Sequence, residues 1–124
     1  MTTVEREILR LEHQQVKDFN RRDLKALLGE FARGFAGFSS TRHKRVTGRN
    51  ALANTFRHYF DQSPRVQYRI AQPRVQAFNG TAVASFYWTV TLSPKRKVQG
   101  RGSHVFVRRG GRWQIVHEHF SKAH

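Results

Sequence analysis

The 124-residue sequence contains no cysteine. That excludes a disulfide framework, a thiolate metal site and a cysteine nucleophile, and it fits a reducing cytoplasm. Nor does it hold the roughly 18 consecutive apolar residues of a membrane-spanning helix. Its first residues, charged from Glu5 onward, lack the apolar segment of a signal peptide. The expectation is a cytoplasmic protein with no membrane partner. Acidic residues are scarce, 8 Asp and Glu against 23 Lys and Arg, leaving a formal charge of +15. An excess of that size attracts polyanions. The cations are nevertheless spread along the chain, with knots at Arg21-Arg22, Arg42-His43-Lys44-Arg45, Lys95-Arg96-Lys97 and Arg108-Arg109 beside expected turns, as on a solvated surface. No phosphate-cradling glycine loop is present, and Gly100-Arg101-Gly102 falls far short of one, so no cofactor is expected.

What the chain does have is aromatic content: ten Phe, three Tyr and two Trp within a hydrophobic fraction of 38%. That is enough for one core, so residues 1–124 are read as a single domain. Val4, Ile8, Leu11, Val16 and Phe19 recur at helical spacing until Asn20-Arg21-Arg22-Asp23 breaks the pattern and offers a new N-cap. A short second helix carries Leu24, Leu27, Leu28 and Phe31. The glycine-containing stretch from Phe35 to Ser40 reads as a short strand or bend. A third helix, marked by Leu52, Phe56, Tyr59 and Phe60, ends at Ser63-Pro64. Strands follow at 65–78, with a bulge or bend at Pro73, then at 82–92, 98–109 and 112–121. Asn79-Gly80 and Gly110-Gly111 supply hairpin turns. Helices first and antiparallel strands after them argue an α+β domain, with three N-terminal helices packed against one face of a strongly bent, mainly antiparallel sheet.

The register of the last hairpin decides what His117-Glu118-His119 can do. A two-residue turn at Gly110-Gly111 sets Arg109 opposite Arg112 and His104 opposite His117, so that three imidazoles share a face and could hold zinc. A three-residue loop sets Arg108 opposite Arg112. Val105, Val107, Trp113 and Ile115 then form one face, and His104, Phe106, Gln114, Val116, Glu118 and Phe120 the other. The second register sorts apolar residues more cleanly and is preferred, with no metal site.

The helix followed by Asn-x-x-Asp-Leu (Asn20–Leu24), Phe31, a glycine opening a helix (Gly48) and Gly-x-Trp-x-Ile-Val-His-Glu-His-Phe-Ser (Gly111–Ser121) together resemble the SnoaL-like group of the nuclear transport factor 2-like superfamily. The resemblance spans nearly the whole chain. It implies a bent sheet wrapped around helices and an interior pocket, and it commonly implies homodimers. Relatives include ketosteroid isomerase, polyketide cyclases and the calcium/calmodulin-dependent kinase association domain, so it says little about chemistry. On the isomerase pattern, the proton-shuttling carboxylate falls near Ser39, the first-helix tyrosine near Gln15 and the oxyanion-binding acid on His104. A serine without a neighbouring base cannot take a proton from carbon, which argues against that activity.

The pocket so implied contains Gln15, Phe19, Ser39, Tyr87, Thr89, His104, Phe106, Val116, Glu118 and Phe120. Glu118 and His104 are its candidate catalytic pair: a carboxylate among aromatics and a histidine beside it suit acid/base work. The opposite face, with Phe86, Trp88, Val105, Val107, Trp113, Ile115 and His117, is expected to form a homodimer interface, because a second apolar face does not stay in water. The leading reading is a pocket protein for a modest organic ligand, possessing at most cofactor-independent isomerase, cyclase or dehydratase chemistry. The alternatives are a nucleic-acid or polyanion binder using Arg42, Lys44, Arg45, Lys95, Arg96 and Lys97, and a pure assembly module.

Overall fold

A computed structural model describes residues 1–123. Helix α1 (Thr3–Asn20) is followed by α2 (Leu24–Gly29), strands β1 (Phe31–Phe38) and β2 (Val46–Thr47), and helix α3 (Gly48–Gln62). Four long strands complete the chain: β3 (Gln67–Phe78), β4 (Thr81–Ser93), β5 (Arg96–Arg109) and β6 (Arg112–Lys122). They form one six-stranded sheet in the order β2-β1-β6-β5-β4-β3, in which only the β1–β6 pair is parallel. The α+β class and most of the element order follow the sequence pattern, except that Phe31, expected in the second helix, opens β1, and that the short β2 was not expected.

Local chemistry explains the boundaries. Thr2 and Glu5 form a reciprocal capping box at the start of α1, each side chain accepting the other's backbone N–H at 3.1 Å. Asp23 caps α2 by accepting from Ala26 N at 3.1 Å. Asn20 docks the end of α1 on the sheet edge: its Nδ2 donates to Tyr68 O at 3.0 Å, and its Oδ1 accepts from Tyr68 N at 2.7 Å. The expected irregularity at Pro73 is a register shift between Ala71 and Arg74, with Gln72 at φ 51°.

The last hairpin corrects the preferred register, because no three-residue loop sets Arg108 opposite Arg112. Gly110-Gly111 is a two-residue turn with both glycines at positive φ, so Arg109 pairs with Arg112 and Phe106 with Ile115. Beyond that the pairing slips by one residue, and Val105 faces His117 while His104 faces Glu118. Val116 is the extra residue of this bulge. Because side chains alternate, the slip keeps Trp113 and Ile115 on the same face as Glu118 and Phe120.

This face is the inner one. Ala82, Ala84, Phe86, Trp88, Val90 and Leu92 of β4 are all buried against the helices, as are Phe106, Trp113 and Ile115. The expected interface is therefore corrected: Phe86, Trp88, Trp113 and Ile115 belong to the core, and only Val105, Val107 and His117 of that set lie on the outer face, each half-buried. Tyr87 and Thr89, expected in the pocket, alternate with Phe86 and Trp88 and so point outward, Tyr87 with 53% of its surface exposed.

Candidate functional site

The buried stripe of α1 is partly polar. Ile8, Glu12, Gln15 and Phe19 recur at helical spacing and all face the sheet. Glu12 was not singled out from the sequence, although its place in that stripe was the available signal. It meets His104 at the centre of the inner face: Glu12 Oε2 lies 2.7 Å from His104 Nδ1, and Glu118 Oε1 lies 3.0 Å from His104 Nε2. His104 has no exposed surface, Glu12 about 1% and Glu118 about 7%. Burial alone would push the imidazole down, but the two carboxylates outweigh it and raise the pKa to about 10. His104 is therefore a cation at neutral pH, donating one N–H to each carboxylate.

Glu118 also borders a cavity of about 50 Å3 between α1, α3 and the sheet, whose walls include Gln15, Phe19, Ser39, Tyr59, Tyr68 and Phe120. Five expected site residues, Gln15, Phe19, Ser39, Glu118 and Phe120, thus come together. His104 supports this wall from behind without reaching the cavity. Phe106 lies instead on a separate, open cleft of about 540 Å3, and Val116 lines neither. Ser39 bonds Thr41 through their hydroxyls at 2.8 Å and has no histidine or carboxylate partner.

The cavity holds polar groups that the sequence did not reveal. Tyr68 Oη and Trp88 Nε1 are buried with no hydrogen-bond partner among the described residues, and both residues line it. Burial, followed by the charges of Glu12 and Glu118, holds the Tyr68 phenol well above its ordinary value, so it is a neutral donor. Burial likewise raises Tyr59, whose hydroxyl bonds Ser40 at 3.0 Å. The sequence marks Tyr59 only as a helix residue and does not single out Tyr68, because α3 and the β3 edge meet the inner face only in three dimensions.

The open cleft lies between α1, α2 and the β5–β6 hairpin, and Gln15 borders both spaces. Glu30, on its wall, is raised to about 9 by burial and by the neighbouring Asp18 carboxylate. The imidazoles, by contrast, do not converge: His117 Nδ1 bonds Ala36 O at 2.9 Å on the outer face, away from His104.

The SnoaL-like domain family is matched over residues 8–124. The chain belongs to the SnoaL-like family. No curated protein matches it. Among solved structures, this SnoaL-like domain resembles an NTF2-like protein of unknown function from Pseudomonas putida KT2440 at 22% identity, with a TM-score of 0.88 over 98% of this chain and 87% of that one. A candidate calcium/calmodulin-dependent protein kinase II association domain from Xanthomonas campestris gives 20% identity and a TM-score of 0.83, over 95% and 86% of the two chains. A candidate dehydratase of the NTF2-like family from Streptomyces avermitilis gives 14% and 0.82, over 99% of each. At such identities the likeness is one of fold, which this SnoaL-like domain shares across chemically different proteins.

Proposed function

We propose that this SnoaL-like domain binds a modest organic molecule in the interior cavity, with Glu118 as the group that meets the ligand. The observation that carries the reading is the placement of Glu118. One of its oxygens is held by His104 at 3.0 Å, its side chain keeps 10% of its surface open, and it stands in a largely apolar wall beside two unpaired donors. A ligand oxygen accepting from Tyr68 Oη or Trp88 Nε1 would satisfy a group whose burial otherwise costs about 1–3 kcal/mol.

The chemistry this arrangement offers is proton transfer by a carboxylate without a cofactor, of the isomerase, cyclase or dehydratase type. His104 is a positioning residue in this reading. Both its N–H groups are taken by carboxylates, which leaves none for an oxyanion and favours that positioning role over direct proton transfer to a ligand. A 50 Å3 void admits only a few atoms, whereas pockets for organic ligands run to roughly 300 Å3 or more. Binding therefore requires the cavity to widen.

A thermal-shift screen with steroids, polyketide fragments and small aromatic acids tests this reading. A ligand should stabilise the wild type and lose that effect in both Glu118→Gln and Trp88→Phe. Stabilisation that survives both changes would place the ligand elsewhere. The reading also includes a homodimer through the outer sheet face, resting now on Val83, Tyr87, Val105 and Val107. Sedimentation equilibrium showing a monomer at every concentration would remove that part.

A further inference from the structure

Four arginines converge on a cleft that the ligand cavity does not use. Arg33 of β1, Arg49 of α3 and the pair Arg109 and Arg112 flanking the last turn line a hollow of about 460 Å3, together with Gln114. The hairpin register sets Arg109 directly opposite Arg112, and like charges in that position are destabilising. No acidic residue lines the hollow, and among the described residues none of the four arginines pairs with a carboxylate. Two make single bonds to backbone carbonyls: Arg49 Nη2 donates to Phe31 O and Arg112 Nη2 to Gly29 O, each at 2.9 Å. Arg49 Nε is buried and has no partner among the described residues.

The hollow continues into a second one of about 330 Å3 that shares Arg33 and Arg49 and reaches Thr47, Gly48 and Asn50. There the 15-residue helix α3 begins, and its N-cap residue Thr47 makes no side-chain hydrogen bond, so the first-turn N–H groups lack that partner. Planar guanidiniums and free helix N–H groups both match phosphate oxygens. The two hollows are open and adjoin at Arg33 and Arg49, so a compact anion with several charges could reach both.

We propose that this four-arginine cleft binds a small molecule carrying a di- or triphosphate group. The phosphates lie between the paired Arg109 and Arg112 on one side and Arg33, Arg49 and the start of α3 on the other. The site is separate from the interior cavity and does not depend on what that cavity binds.

Isothermal titration calorimetry with sodium triphosphate, pyrophosphate and orthophosphate tests the proposal. Triphosphate should bind saturably with one site per chain, and orthophosphate more weakly, since it cannot span the arginines. Arg33→Gln and Arg109→Gln, at exposed positions whose side chains make no hydrogen bond among the described residues, should each weaken triphosphate binding roughly tenfold, the scale of one charge-assisted hydrogen bond. Arg65→Gln, exposed and remote from the cleft in sequence and strand, should leave it unchanged. Equal weakening by all three variants would mean that net charge alone attracts the anion, and would overturn the site. So would an absence of triphosphate binding, or a single-stranded oligonucleotide that binds more tightly and responds as strongly to Arg65→Gln.

Discussion

A histidine bridged by two carboxylates in a dry interior exchanges hydration for two short charged bonds. Such a network is costly to interrupt, because whatever remains is buried and unpaired. Replacing His104 with Leu leaves Glu12 and Glu118 facing one another without a proton donor. Urea unfolding should show a loss of about 3–5 kcal/mol, and an unchanged midpoint would mean that the network contributes nothing to the fold. The same residue sets a pH dependence. Its folded pKa of about 10 lies above the ordinary 6.5, so the folded chain holds a proton that the unfolded chain releases. The stabilisation is complete below pH 6.5 and is lost as pH rises toward 10, with a slope of about 1.4 kcal/mol per pH unit from this group. Glu30, raised from 4.5 to about 9, acts in the same direction. Denaturant midpoints should fall steadily between neutral pH and 9, and His104→Leu should flatten that fall; a midpoint rising over this range would contradict the assignment.

At the scale of elements, one bulge decides the inner face. Without the bulge at Val116, strict alternation would place Trp113 and Ile115 on the face opposite Glu118 and Phe120. Alternation in β4 was equally legible, but it defines two faces without saying which one the helices cover. Phe86 and Trp88 are inside because α1 and α3 pack on their side, a long-range fact that no local pattern contains. Close approach between strands leaves its own mark at Gly100. A Cβ there would collide with Ser121 O and come within 2.8 Å of the Trp88 ring. Gly100→Ala should cost about 1–3 kcal/mol or more by overpacking and weaken the pairing of β5 with the end of β6. Hydrogen exchange at Ala123 N, which bonds Gln99 O at 2.9 Å, would report it; protection equal to the wild type would show that the strands adjust without loss.

Over the whole molecule the charge is segregated. Asp61 is the last exposed acid, since Glu118, the only later one, is buried. Residues 62–123 carry eleven Lys and Arg, so the four long strands present cations without exposed carboxylates to offset them. Self-repulsion of this kind destabilises the compact state and is screened by salt. The melting temperature should therefore rise as ionic strength increases from low values to about 0.15 M, where screening acts over roughly 8 Å. A melting temperature that falls would show that attractive surface pairs outweigh the repulsion.

From the sequence alone came the order of most elements, the positions of the hairpin turns, the polar break after α1 and the placing of His104 and Glu118 on one face of adjacent strands, because helical and strand periodicities and turn chemistry are local. Gln15, Phe19, Ser39 and Phe120 were placed around a pocket by resemblance to the family. Glu12 joined the network only in three dimensions, as did Tyr68 and Trp88 in the cavity wall and the four arginines in their cleft. The reason is the same in each case: these groups are separated by tens of residues, and their meeting depends on the bulge at Val116, the side of the sheet that the helices cover and the burial that removes water from between them.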